Sequence, residues 1–289
     1  MQPVAIIWFP VNLTLKMGKG TSKQAMMTFA LNHMTVPSMT VDQACALVQS
    51  LQMSGIEIRN DLATSLPNGG EGAATLLPDH SILAVAEVKA FNAYGDHVNE
   101  AAMALMDEAV ACGAKGIALI PQVGGAPVSK EGLRLAMDEL GPALAAREMT
   151  GLIEPIGFAN SSIRTKAEVV ALIDTHPFGA QFGLIHDTFH HHLAAEGTIF
   201  PAHTKMVHIS GVPRAKVAVG DLVDADRVLV DADDGLGNVT QISQLMHGGY
   251  NGPFSFEAFS PGVHALSDPK AALSRSIRFI EDAVMAHAA

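Results

Sequence analysis

From residue 29 onward, short runs rich in β-forming residues alternate with longer stretches of helical periodicity, and this alternation constrains the fold more than any other feature of the chain. The β-like runs span 29–33, 55–59, 81–88, 116–121, 151–154, 182–187, 205–209 and 254–257. Helical patterns occupy 41–53, 99–111, 131–148, 166–175, 239–246 and 269–286, while the connections after the second and sixth runs are less regular. Three helix ends are readable: Thr40 as an N-cap, Gly113 as a C-cap signal, and Asp268 followed by Pro269 at a first helical position. Eight strands with crossovers between them form a (β/α)8 TIM barrel, which places functional groups at the carboxyl ends of its strands. A doubly wound open sheet is the competing arrangement, but no glycine-rich phosphate loop follows the first run.

Four of these runs end in a residue able to bind a metal: Gly-Leu-Ile-Glu154, Gly-Leu-Ile-His-Asp187, Met-Val-His208 and Phe-Ser-Phe-Glu257. Side chains alternate across a strand, so Ser255 and Glu257 share one face while Phe254 and Phe256 take the other. The polar face therefore points inward, toward a site. A lone acid at a strand end is often an ion-pair partner or a helix cap; four ligands delivered to one rim point to a divalent cation. Three carboxylates and one imidazole are a harder set than the thiolates of structural zinc. Manganese is preferred because it expands readily to take substrate oxygens, and zinc, cobalt and magnesium also fit.

The chain's 289 residues, 48% of them hydrophobic, suffice for one barrel domain over 29–289. The net charge of −11 argues against the concentrated basic surface that nucleic acid requires and fits a soluble cytoplasmic enzyme. Cys45 and Cys112 lie in or beside apolar helical stretches and read as small buried hydrophobes. Residues 1–28 form an N-terminal extension in which basic residues follow a short apolar run, an order that fits neither a transmembrane helix nor a secretory signal.

Phe-Ala-Leu-Asn-His33, Ile-Glu57-Ile-Arg59, Glu154-Pro-Ile-Gly, His-Asp187-Thr-Phe-His190, Val-His208-Ile-Ser, Asp224-Ala-Asp226-Arg227 and Phe-Glu257-Ala-Phe occur together in this order. In this the chain resembles the xylose-isomerase-like sugar isomerase/epimerase superfamily, and within it the inosose (2-keto-myo-inositol) isomerases of inositol catabolism. The resemblance implies that Glu154, Asp187, His208 and Glu257 bind the metal, and that His190 and Arg227 contact substrate. It also implies a small-molecule polyol or keto-sugar substrate and a homo-oligomer. One departure stands out: where the family carries Pro-Gly-x-Gly after the arginine, this chain has Val230-Asp-Ala-Asp-Asp-Gly235, which alters the loop.

Other polar residues allow two readings each. Glu57 and Arg59 share the inward face of the second strand, where they either pair with each other or contact a hydroxylated ligand. Lys89 either contacts substrate or pairs with Glu87. Of His190, His191 and His192, successive side chains at a helix start point about 100° apart, so at most two face the site, and His190 is the one expected there. Glu154 and Glu257 are expected to exchange a carbon-bound proton through an enediolate, assisted by His190. The alternatives are an inosose dehydratase using the same enediolate, another sugar epimerase, an endonuclease IV-type phosphodiesterase, which the net charge disfavours, and a non-catalytic sugar-binding protein.

Overall fold

A computed structural model of the protein describes residues 27–64, 81–129, 131–216 and 218–287. All eight expected strands are present: β1 (Thr28–Asn32), β2 (Gly55–Arg59), β3 (Ser81–Val88), β4 (Gly116–Leu119), β5 (Thr150–Ile153), β6 (Phe182–Asp187), β7 (Thr204–Ile209) and β8 (Pro253–Phe256). Each is parallel to the next, and β1 pairs with β8 in the register Leu31↔Phe256, closing the sheet into a single-domain barrel. Closure removes the exposed edges that an open sheet would have to protect.

The helices are α1 (Val41–Ser50), α2 (Asp96–Cys112), α3 (Gly132–Ala146), α4 (Lys166–Ile173), α5 (Thr188–Ala194), α6 (Asn238–His247), α7 (Pro261–His264) and α8 (Pro269–His287). The two connections expected to be irregular differ. The sixth carries the short α5, while the described residues 60–64 after β2 contain no helix. Most of the expected N-terminal extension, residues 1–26, lies outside the described residues, and Thr28 already belongs to β1.

The expected caps are in place. Thr40 accepts from the Gln43 N–H while Gln43 accepts from the Thr40 N–H, a reciprocal box that opens α1. Gly113, at φ +75°, ends α2 in the left-handed region that glycine enters without steric cost. Asp268 Oδ1 accepts from the Ala271 N–H at 2.9 Å, ahead of Pro269 at the start of α8.

Period-two alternation divides β3 to β7 between two cores. Ile153, Leu184, Val207, Phe254 and Phe256 pack outward in the large cluster shared with the helices. Ala84, Ala86, Ala118, Leu152, Ile185 and Met206 form a separate cluster that fills the barrel interior. The next inward positions after Leu152, Ile185 and Met206 are Glu154, Asp187 and His208. β5, β6 and β7 thus pass from apolar filling to a polar rim within two residues, or about 7 Å.

Candidate metal centre and its cavity

Glu154, Asp187, His208 and Glu257, delivered by β5, β6, β7 and β8, each offer one ligand atom, and these atoms lie within 4.8 Å of one another. All four side chains are buried. Glu154 and Glu257 stand one residue beyond the ends of β5 and β8, because each strand begins and ends one residue earlier than expected. Their backbone N–H groups nevertheless donate to Leu119 (3.2 Å) and Ile209 (3.0 Å), which keeps both side chains on the inner face.

The imidazole of His208 organises the cluster. Its Nδ1 lies 3.2 Å from Glu257 Oε2, 3.6 Å from Glu154 Oε1 and 3.9 Å from Asp187 Oδ2. This buried atom has no hydrogen-bond partner, an orphan of the kind that native proteins rarely leave without a purpose. On the far side of the ring, Nε2 meets Glu57 Oε2 at 2.9 Å. One nitrogen and three carboxylates converging in this way fit a divalent cation.

Burial and charge pull the titrating groups apart. Burial pushes the Glu154 carboxyl up to about 8, outweighing the attraction of His208. Burial alone would also raise Glu257, but His208 and Arg227 hold it well below the usual carboxylate range. Desolvation would depress His208, yet Glu257, Glu57 and Glu154 outweigh it and raise its pKa well above the ordinary value. Without a cation the cluster therefore retains protons that a cation must displace.

Arg227 lies against the same carboxylates. Its NH2 group donates to Asp187 Oδ2 at 2.5 Å and to Glu257 Oε2 at 2.7 Å, while Nε donates to Ser210 Oγ at 3.0 Å. Its guanidinium carbon sits 5.1 Å from the centroid of Phe189 and 4.6 Å from that of Phe259, an aromatic clamp that fixes the plane of the group.

His190 also reaches the site. It lies at the start of α5, where its N–H is capped by Asp187 Oδ1 at 2.8 Å, and its buried Nδ1 has no partner. Burial lowers its pKa, favouring neutral imidazole. The loop after β5 comes close to this helix at Gly157, where a Cβ would fall 2.2 Å from the His190 carbonyl oxygen. His191 turns away to Lys166 Nζ at 2.9 Å, and burial followed by that lysine lowers its pKa to about 4.

A cavity of about 320 Å³ opens above the cluster, lined in part by Glu154, His190, Arg227, Glu257, Phe158 and Phe259. Its β2–β3 wall carries Arg59, Asp61, Glu87 and Lys89. Arg59 donates to Asp61 (2.8 and 2.9 Å) and Glu87 (3.1 Å), and Lys89 Nζ lies 3.2 Å from both acids. A larger cavity, about 630 Å³, between α3 and α4 contains none of the four clustered residues.

Glu57 differs from expectation. It neither contacts a ligand space nor pairs with Arg59: it is fully buried behind His208, and its second oxygen accepts a hydrogen bond from Ser255 Oγ. Both oxygens of Glu257 are engaged: Arg227 donates to Oε2, and Asn32 Nδ2 donates to Oε1 at 3.1 Å. Sequence reasoning missed Asn32, Ser210 and Asp61. Asn32 and Asp61 follow inward positions of β1 and β2 at the same rim, and that parity was the available signal. The loop that departs from Pro-Gly-x-Gly is pinned by Asp234, which accepts from the N–H groups of Leu236 (3.1 Å) and Asn238 (2.8 Å).

Comparison with known proteins bears on the fold and the family. The sequence profile described as xylose isomerase-like TIM barrel matches residues 77–283, which contain all four clustered residues. A xylose isomerase domain-containing protein from Salmonella typhimurium LT2 is similar at 27% identity and a TM-score of 0.81, over 90% of this chain and 97% of that one. The IolI protein, solved with a bound zinc atom, shares the fold at 19% identity and a TM-score of 0.77, over 89% of this chain and 98% of its own. D-allulose 3-epimerase from a Methylomonas species, solved with D-allulose, shares it at 17% identity and a TM-score of 0.57, over 90% of this chain and 95% of its own. No curated protein matches the sequence significantly.

Proposed function

This chain belongs to the xylose isomerase-like TIM barrel family, and from that membership and the geometry of its rim we propose that it is a metal-dependent isomerase or epimerase of a keto-inositol or ketose, with 2-keto-myo-inositol as substrate. The observation that carries this reading is the convergence of three buried carboxylates on the orphaned Nδ1 of His208, at the floor of a cavity that also holds His190 and Arg227. Glu154, Asp187, His208 and Glu257 would hold the cation. The set suits manganese, with zinc, cobalt and magnesium as alternatives. A divalent cation there supplies Lewis-acid stabilisation of negative charge on adjacent carbonyl and hydroxyl oxygens.

The protein's own groups divide the remaining work. Among the described residues, Glu154 meets only His208, through Oε1, which leaves its second oxygen to take a carbon-bound proton. Glu154, the carboxyl whose pKa is raised, then delivers that proton to the adjacent carbon, while Glu257, held ionised by His208, Arg227 and Asn32, stays as a fixed negative charge beside it. His190 Nδ1, without a protein partner, is placed to bond a substrate hydroxyl, and Arg227 offsets negative charge that develops as the proton leaves. Arg59, Lys89 and Arg227 are the lining cations, against Asp61, Glu87, Glu154, Asp224 and Glu257 as acids. Once the two charges of the divalent cation are added the lining is close to neutral, which supports a neutral polyol, bonded in part by Lys89.

Glu257→Gln is expected to abolish turnover while the metal-free melting temperature stays near that of the parent. Full activity in that variant would defeat the proposal. An enone or dione absorbance growing with turnover would assign the same site to a dehydratase instead.

A further inference from the structure

Glu57 is 0% exposed, lies on β2 across the barrel from the carboxylate cluster, and spends both oxygens on two groups: His208 Nε2 at 2.9 Å and Ser255 Oγ. No other carboxylate meets the far side of that ring among the described residues. We infer that Glu57 is a positioning residue that fixes which nitrogen of His208 carries the proton and so presents the Nδ1 lone pair to the cation. The inference rests on the metal-centre reading above.

The argument follows from hydrogen-bond direction. An ionised carboxylate can only accept, so a bond between Glu57 Oε2 and Nε2 requires the proton to reside on Nε2. The neutral ring then has its acceptor at Nδ1, the buried atom that faces Glu154, Asp187 and Glu257 with no partner of its own. Ser255 Oγ donates to the other Glu57 oxygen, which anchors the carboxylate in this orientation. Ser255 stands two residues before Glu257 on the inward face of β8, so the strand that delivers one ligand also locks the support of another. Carboxylates that bond the distal nitrogen of a ligating histidine fix its ring and raise its basicity, and their loss costs about 10–100-fold in metal affinity.

The test is calorimetric zinc titration of the full chain and two variants, with nitrogen-15 histidine NMR of the zinc-loaded parent. Glu57→Leu, which removes the acceptor, is expected to lose about 10–100-fold in zinc affinity. Glu57→Gln, which keeps an acceptor without the charge, is expected to lose less. The parent should show His208 coordinated through Nδ1 with Nε2 protonated, a readout that needs no variant to fold. Variants that melt earlier yet bind zinc as the parent does would overturn the inference and leave the metal centre standing; so would coordination through Nε2. A parent that takes up no zinc, manganese or cobalt would overturn both.

Discussion

Two layers of the same barrel interior, two residues apart, have opposite chemistry. The lower layer contains Leu152, Ile185 and Met206 in an apolar cluster with three alanines. The upper layer contains Glu154, Asp187 and His208, joined by Glu257. The strands, their parallel register and their burial are shared. What differs is residue type at one inward position and what lies above it: the lower layer is capped by the upper, and the upper opens to a cavity. The lower layer supplies apolar burial that drives folding, while the upper concentrates buried charge that costs stability unless paired or bound to a cation. Stability and function are therefore separable along each strand, and substitutions can test that separation.

The largest effect is expected in the upper layer. His208→Ala removes the atom on which the three carboxylates converge and should eliminate measurable metal binding and turnover, with the fold retained by circular dichroism. Retained binding would break the distinction between layers. In the lower layer, Leu152→Ala should cost about 2–5 kcal/mol in denaturant unfolding, the usual price of truncating a buried leucine, while the folded protein still binds the cation.

Acidity sharpens the comparison, because only the upper layer titrates. Glu154, raised to about 8, and His208, also raised, hold protons in the metal-free state that the cation must displace. Metal affinity should therefore strengthen as pH rises from about 6 toward 8 and weaken as it falls, with proton release on binding measurable by calorimetry in buffers of different ionisation enthalpy. An affinity flat across that window would contradict the assigned ligands. The smallest effect lies outside both layers: Thr40→Ala removes the side-chain cap of α1 and should cost about 1 kcal/mol without changing metal affinity.

Much of this was legible in the sequence, for a physical reason. The alternation of short and long periodicities identified all eight strands, and position at the strand ends brought the four clustered residues to one rim, with parity turning Glu257 inward, because both signals are local. Strand ends were less legible: Glu154 and Glu257 fall just beyond their strands, since β5 ends with β4 at Leu119↔Ile153 and β8 with β7 at Ile209↔Phe256. Glu57 could not be read correctly from its own strand. Its partner His208 lies 151 residues away and faces it only because the barrel closes. The pairing of Arg59 with Glu87 likewise depends on how β2 and β3 align at their ends. Local pattern reveals which residues face inward; the closed sheet decides which of them meet.

The most direct test of the central claim is a proton NMR time course of the manganese-loaded protein with 2-keto-myo-inositol in deuterated water, beside a chelated control. The account predicts new keto-inositol resonances and deuterium at the carbon next to the carbonyl, both absent after chelation. An unchanged substrate spectrum, or exchange that persists after chelation and in Glu257→Gln, would contradict it.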